Sequence, residues 1–382
     1  MFLVSEYVSP GHPDRLADEI VNRIVDYVIS KDKDALCGLE CAVHTNKVFI
    51  DGRIAAGKDE VVINEDIIKS IAKSVYEDAG YGKHDFSSRY RSYSIEWHPY
   101  PEEINIILDV CIETLSKEER DLRRYSDDQN VVNGYALNSP ETDYLPIEHY
   151  VALKIGEKFI KECVHSSNQT YGRIHCFGPD FKVLVQINKE EDKYQWERLT
   201  LSVIHNKGSI YQDIYEDAIS SIRYILKSLF KNTSLDSLSS IEEDKFYLNG
   251  AGDFIQGGPE GDNGLSGKKL CIDFYGPNIP IGGGAIYGKD PHKIDVCGAL
   301  RARELALKLV KDNNFYSVMT TLAWSPGEES PYIIKAYEID EFGTRFPVDD
   351  SLLPPRDYFS IECINRDLKL HERKIKTIKD IK

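Results

Sequence analysis

Four short stretches of the 382-residue chain gather residue types that handle phosphate. The first is Gly11-His12-Pro13-Asp14, at the predicted start of a helix. A helix N-terminus offers unpaired N–H groups and a partial positive charge, which suit an anion. His12 could donate to a phosphate oxygen and Asp14 could hold Mg²⁺; the same pair would also serve as a turn residue and a first-turn acid. The second stretch is Gly257-Gly258-Pro259-Glu260-Gly261-Asp262-Asn263-Gly264-Leu265-Ser266-Gly267-Lys268-Lys269. Its glycines let backbone approach a ligand closely, and Lys268 and Lys269 set positive charge beside it. A flexible surface loop is the plainer reading of the same residues.

The third stretch, Gly282-Gly283-Gly284-Ala285-Ile286-Tyr287-Gly288-Lys289-Asp290, begins like a phosphate-binding P-loop. Gly283 to Lys289 fits GxxxxGK, but Asp290 stands where Ser or Thr should ligate Mg²⁺, so the motif fails. Glycine N–H groups beside a lysine still suggest phosphate. The fourth feature is Asp295, near Lys293 at the start of a predicted helix. It could join Asp14 in holding Mg²⁺, or simply favour its own first helical turn.

The elements that must position these residues alternate between helix and strand, which argues for a mixed α/β protein. Leu16, Ala17, Ile20, Ile24 and Val28 recur at helical spacing behind Pro13. Further helices are expected over 64–79 (closed by Gly80), 145–164, 211–230 and 293–311. Strands are expected over 47–54, 182–188, 199–205, 318–324 and 332–337, with a polar turn around Glu190 and Asp192. Ile104 to Leu115 fits either a strand or a helix. Lys117 to Asp128 is dense in charge and reads as an exposed loop or a linker between domains.

Composition removes several classes of function. Lys plus Arg number 47 against 63 Asp plus Glu, a formal charge of −16. Such a surface repels nucleic acid and anionic membrane, so neither is expected as a partner. With 41% hydrophobic and 29% charged residues, the chain is expected to fold rather than stay disordered. No apolar run approaches the ~20 residues that span a bilayer. The N-terminus carries no basic stretch followed by a long apolar core, so no signal peptide is read there. The eight cysteines form no CxxC and read as reduced thiols of a cytoplasmic protein. His175-Cys176 lacks a second paired ligand nearby, which leaves zinc poorly supported.

Together these motifs resemble the S-adenosylmethionine synthetase (methionine adenosyltransferase) family, as a divergent branch. Ser5-Glu6-Tyr7-Val8-Ser9-Pro10-Gly11-His12-Pro13-Asp14 resembles SESVSEGHPDK. Gly257 to Lys269 resembles GGPxGDxGLTGRK, and Gly282 to Asp295 resembles GGGAFSGKDxxKVD. Pro179-Asp180-Phe181-Lys182 resembles RPDxK, and Asp127-Asp128-Gln129 resembles GAGDQG. These matches run in the family's order over most of the chain.

The resemblance implies that the sulfur of L-methionine attacks C5′ of ATP, expelling triphosphate that is then hydrolysed to pyrophosphate and phosphate. It implies that His12, Lys182 and Lys289 are catalytic and that Lys268, Lys269 and the Ala285 backbone bind phosphates. Asp180 and Phe254 would hold the nucleoside, Asp262 would touch both substrates, and Lys293 the methionine carboxylate. Asp14 and Asp295 would hold Mg²⁺, and Glu40 would ligate K⁺. The implied fold is three α/β domains with pseudo-threefold symmetry, placed at 1–105, 118–245 and 246–382. A homodimer or dimer of dimers with active sites between subunits is implied as well.

The sequence also departs from the pattern. Arg53 stands where the family has a methionine-binding glutamate, and an arginine cannot accept an ammonium. The family's QSPDIxxGV loop has only His98-Pro99-Tyr100-Pro101-Glu102 as its nearest counterpart, and Glu102 or Glu103 could serve the amino group instead. Asp253 and Ile281 replace an Arg and a His, Arg15 replaces the Lys after HPD, and Lys268 replaces an Arg with loss of its bidentate fork. The phosphate half of the motif set is thus intact and the methionine half altered. The alternatives are the same fold acting on another thioether, an ATPase or phosphotransferase, and a non-catalytic subunit.

Overall fold

The computed structural model of the chain describes residues 2–87, 92–164, 177–190 and 193–381. The expected turn residue Asp192 and the pair His175-Cys176 lie outside them.

The first helix, α1 (Pro13–Lys31), follows β1 (Phe2–Val8) and has His12 as its N-cap, with proline in the first turn. Its leucine and isoleucine positions are buried: Leu16, Ile20, Ile24 and Val28 show no exposure. Each such side chain contributes about 1.5–3 kcal/mol on leaving water. Next come the hairpin β2 (Leu36–His44) and β3 (Lys47–Ala55), then α2 (Glu65–Ala79). The Asn64 side chain caps α2, and Gly80 ends it at φ 104, a conformation that favours glycine. The small hairpin β4 (Gly82–Ser87) and β5 (Ser92–Trp97) precedes β6 (Asn105–Glu113). The ambiguous segment 104–115 is therefore a strand, running parallel to β3.

The expected loop at 117–128 requires correction. Its first half is a helix, α3 (Lys117–Leu122), with Ser116 and Glu119 in a reciprocal capping box. Arg123 and Ser126 beyond it are buried. Strand β7 (Asn130–Leu137), α4 (Ile147–Phe159), β8 (Phe177–Glu190), β9 (Lys193–His205), α5 (Tyr211–Phe230) and β10 (Phe246–Leu248) form the middle of the chain. The last third carries β11 (Gly264–Leu265), α6 (Leu270–Asp273), α7 (Ile294–Asn313), β12 (Ser317–Trp324), β13 (Ile333–Ile339), β14 (Arg345–Pro347) and α8 (Ile361–Asp367).

Among the described residues the strands make three four-stranded sheets, ordered β1-β8-β9-β10, β11-β2-β3-β6 and β14-β13-β12-β7. Helix α1 packs on β2, α4 on β1 and β8, and α7 on β7 and β12, so the mixed α/β reading holds. The sheets also exchange strands across the spans 1–105, 118–245 and 246–382. β1 from the first span joins the sheet of β8 and β9, and β7 from the second joins that of β12 and β13. β11 from the third completes the sheet of β2 and β3. One apolar core lies under α1 and α2; a second runs continuously under the helices of the other two sheets. This exchange ties the N-terminus of α1 to β8 and the 257–269 segment to β2.

Candidate active site

The turn before α1 is fixed from two sides. Ser9 accepts the Phe181 N–H at 2.9 Å through its hydroxyl oxygen and donates that hydroxyl to the Pro179 carbonyl at 2.7 Å. Tyr81 donates its hydroxyl to the Gly11 carbonyl at 2.6 Å. His12 is therefore held against the start of β8, the strand that carries Asp180 and Lys182. His12 is 3% exposed, and its Nδ1 accepts the Asp14 N–H at 3.2 Å. Burial, followed by the Lys182 ammonium, pushes the imidazole down to about 3. The ring is thus neutral near pH 7, and the occupied Nδ1 leaves the proton on Nε2, free to donate.

Asp14 is 2% exposed and heavily engaged. Its Oδ1 accepts the Leu265 N–H at 2.9 Å, and Lys268 and Lys269 stand 3.4 and 3.0 Å from its carboxylate oxygens. Burial raises its pKa, but the Leu265 N–H and Lys269 outweigh that and the carboxyl lies below its ordinary range. Two further buried carboxylates grip the same glycine-rich segment. Asp180 accepts the Gly258 N–H at 2.7 Å, and Asp18 the Gly267 N–H at 2.8 Å. Burial pushes Asp180 up to about 6. Gly258 has φ +60, and a Cβ there would run into the Tyr81 hydroxyl, so both backbone and space require glycine.

Phe254 is pinned to β9 by mutual bonds with His205 (N–H to Nε2 3.2 Å, carbonyl from the His205 N–H 2.9 Å), and its ring packs on Gly257. Asp262 is exposed and lines an open groove with Phe49 and Leu265. Ala285 comes against Gly267, bringing the second glycine-rich segment to the first.

That second segment runs along the edge of β2. Lys289 forms an isolated bridge with Gly38, and Leu39 donates its N–H to Gly288 at 2.9 Å. Asp290, which breaks the P-loop spelling, is fully buried. It accepts the Cys37 N–H at 2.9 Å, caps the His292 N–H at 2.9 Å and pairs with Arg123. It is an anchor. Lys289 reaches Asp295 at 2.6 Å, and Asn130 donates to the other oxygen of Asp295 at 2.7 Å. Lys293, the N-cap of α7, pairs with Asp127. A Cβ on Gly284 would overlap Asp295, so glycine there makes room for the carboxylate.

The pattern of a neutral histidine, four lysines and carboxylates around two glycine-rich backbones can be set beside known proteins. The model of the S-adenosylmethionine synthetase N-terminal domain matches residues 1–98, and that of the C-terminal domain matches 256–379. The S-adenosylmethionine synthase of Acholeplasma laidlawii is 30% identical over 346 residues, which are 89% of this chain and 82% of that one. The chain belongs to the S-adenosylmethionine synthetase family. The synthase of Finegoldia magna is 31% identical over 81% of this chain and 75% of its own. The unusual S-adenosylmethionine synthetase of Campylobacter jejuni shares the fold, with a TM-score of 0.76 at 22% identity over all of this chain and 93% of that one.

Within this family member, the residues singled out from the sequence fall into two groups and one outlier. His12, Asp14, Asp180, Lys182, Phe254, Asp262, Lys268, Lys269 and Ala285 gather around the N-terminus of α1. Lys289, Lys293 and Asp295 gather at the N-terminus of α7 with Asn130 and Asp127. No hydrogen bond or ion pair joins Asp14 to Asp295 among the described residues. Glu40 stands apart, exposed on β2 opposite Asp51, which is in turn opposite Asp109. Among the described residues no cluster of three or more His, Cys, Asp or Glu side chains is close enough to hold a metal by itself. Single carboxylates beside phosphate-binding lysines nevertheless fit Mg²⁺, which takes one or two carboxylates and completes its shell with phosphate and water.

Sequence reasoning missed the anchors. Asp18, Arg123 and Asn130 touch the site's backbone or its carboxylates without matching any phosphate motif, and Asp290, inside the GGGAFSGKDxxKVD match, was given no role. Only Asp290 carried a signal, as the misfit in GxxxxGK. Arg53, at the altered methionine position, is bound to Glu113 at 2.5 Å and Glu119 at 2.6 Å.

Proposed function

We propose that these two groups form the active site for S-adenosylmethionine synthesis from ATP and L-methionine. The methionine sulfur forms a bond to C5′ as the C5′–O bond breaks, and the electron pair leaves with triphosphate. A thioether has no proton to lose, so no general base is needed; the burden is the charge gathering on the leaving group. His12, neutral and with Nε2–H available, donates to the bridging region without adding repulsion elsewhere. Lys182, Lys268, Lys269 and Lys289 supply preorganised positive charge to the phosphates, the arrangement that lowers such barriers most. Asp180 and Phe254 hold the nucleoside, Asp262 meets both substrates, and Lys293 takes the methionine carboxylate. Water then cleaves the triphosphate to pyrophosphate and phosphate.

Asp14 and Asp295 would hold Mg²⁺, which when bound neutralises developing phosphate charge. Glu40 would take K⁺. The assembly is a homodimer or a dimer of dimers with sites between subunits. The domains are the three layers built on 1–105, 118–245 and 246–382, with exchanged strands. A cytoplasmic location agrees with the finding that no helix among the described residues is long and apolar enough to cross a membrane.

The observation that carries the reading is Asp14 joined to Lys268 and Lys269 beside a neutral, buried His12. The test is mass spectrometry of products from the purified protein with ATP, methionine, Mg²⁺ and K⁺, against a control lacking methionine. Methionine-dependent S-adenosylmethionine with pyrophosphate and phosphate is expected. ADP in both tubes would overturn it in favour of phosphoryl transfer.

A further inference from the structure

Arg15, Asp18, Glu19 and Arg23 recur at helical spacing and share one face of α1. That face lines a half-open cavity of about 400 Å³, walled also by β1, α2, α6, Tyr287 and the C-terminal turn bearing Lys379. The volume falls within the range of small-molecule sites, ~300–1,000 Å³. Val8, Val75, Ala79 and Ile272 supply apolar wall.

Most of the charge inside is already matched. Arg15 donates to Asp273 Oδ1 and, at 3.1 Å, to Asp18. Arg23 pairs with Glu19 at 2.7 Å and with Asp78. Two groups are left over. Asp273 is 1% exposed, yet its Oδ2 has no hydrogen-bond partner among the described residues. Lys379 makes no hydrogen bond or ion pair among the described residues, and burial pulls its ammonium down to about 8. A buried carboxylate oxygen is costly without a partner, and the half-buried Lys379 ammonium, which the Asp273 charge attracts, keeps its hydrogen-bond donors uncommitted.

An occupant that relieves both must offer an anionic acceptor to Lys379, a cationic donor to Asp273 and an apolar body to the wall between. A phosphate or nucleotide would meet Asp18, Glu19, Asp78 and Asp273 with like charge, and a polyamine would meet Lys379. We propose that this cavity is a second small-molecule site, back to back with the ATP site, for a zwitterionic α-amino acid with an apolar side chain. Its walls reach both glycine-rich segments. Asp18 holds the Gly267 N–H, and Tyr287, 3.4 Å from Asp273, lies between Ala285 and Lys289. Occupancy is therefore felt where the phosphates bind.

The test is isothermal titration of the full-length protein with L-norleucine, which has an apolar chain and no sulfur to alkylate. Wild type is expected to bind one equivalent more than either Lys379→Met or Ala79→Leu, or to bind about tenfold more tightly than both. Lys379→Met keeps its turnover at saturating ATP and methionine. Ala79→Leu fills the cavity without touching a charge and carries the test if Lys379→Met fails to fold. Equal stoichiometry and affinity in wild type and a folded variant would place all norleucine in the methionine site and overturn the proposal. No binding to wild type would overturn it too.

Discussion

The two glycine-rich segments, both assigned to phosphate in the proposed site, are held in opposite ways. Residues 257–269 hang from three carboxylates, Asp180, Asp14 and Asp18, each taking one backbone N–H. Two of these, Asp14 and Asp180, are also groups we assign to metal and nucleoside. Residues 282–290 hang from Asp290, which is fully buried, is paired with Arg123 and has no role in the proposed site. In the first segment tether and reagent are the same atoms. In the second they are different residues: Asp290 anchors, while its neighbour Lys289 pairs with Asp295, six residues further on. Substitutions should therefore confound position with chemistry in one segment and separate them in the other.

The hardest way to break that contrast is Asp290→Ala. It strips the partner from buried Arg123 and frees the Cys37 and His292 N–H groups. Breaking a buried pair from one side costs about 3–5 kcal/mol, so denaturant unfolding should show a loss of that order. A change under about 1 kcal/mol would mean the anchor is not one. Asp14→Asn comes next. It keeps the shape and one acceptor oxygen for Leu265 but removes the charge that Lys268 and Lys269 face. Turnover should fall about 10²–10³-fold, the scale of removing one preorganised electrostatic group, while the unfolding midpoint moves little. Equal turnover would remove Asp14 from the chemistry.

Asp180 sharpens the comparison through pH. Its folded pKa, about 6, lies above the ordinary value of 3.8, because burial penalises the charge. An acid raised in this way contributes stability that is full below pH 4 and lost as pH rises through 6. Asp180→Asn abolishes that titration. The stability of the variant relative to wild type should therefore climb between pH 4 and 7, by on the order of 3 kcal/mol. A flat difference, or one of opposite sign, would show that the first segment's tether is not sensitive to ionisation.

Much of this organisation was legible beforehand, for a physical reason. Helices α1, α5 and α7 repeat their apolar positions with the helical period, and the observed bounds fall within a few residues of those read from spacing. The phosphate motifs likewise marked His12, Asp14, Lys182, Lys268 and Lys269, which the fold brings together. What escaped depends on partners distant in sequence. The exchange of β1, β7 and β11 between sheets leaves no periodic mark. Arg123 read as a linker charge because its partner, Asp290, is 167 residues away. The helix at 117–122 was legible in principle: Ser116 and Glu119 spell a capping box, outweighed in the reading by the density of charge around it.

Arg53 offers the smallest effect and a sharp question. It sits on β3 opposite Gly38, the residue that bridges on its other side to Lys289, and it stands where the family motif has a methionine-binding glutamate. Here its guanidinium spans Glu113 at the end of β6 and Glu119 in α3, so it fastens that short helix to the sheet. Its hydrogen bonds to Glu119 and then to Glu113, which accept them, raise its pKa, so it stays charged at any ordinary pH. The side chain is 39% exposed, and pairs of that kind contribute about 0.2–1 kcal/mol. Arg53→Ala should therefore lower stability by less than about 1 kcal/mol. If the pairing is its whole role, KM for methionine should not move, since the arginine is committed to two carboxylates and repels the substrate's ammonium. A rise in KM of about tenfold, with stability unchanged, would instead place Arg53 at the substrate. Methionine recognition would then lie on this sheet as well as at Lys293.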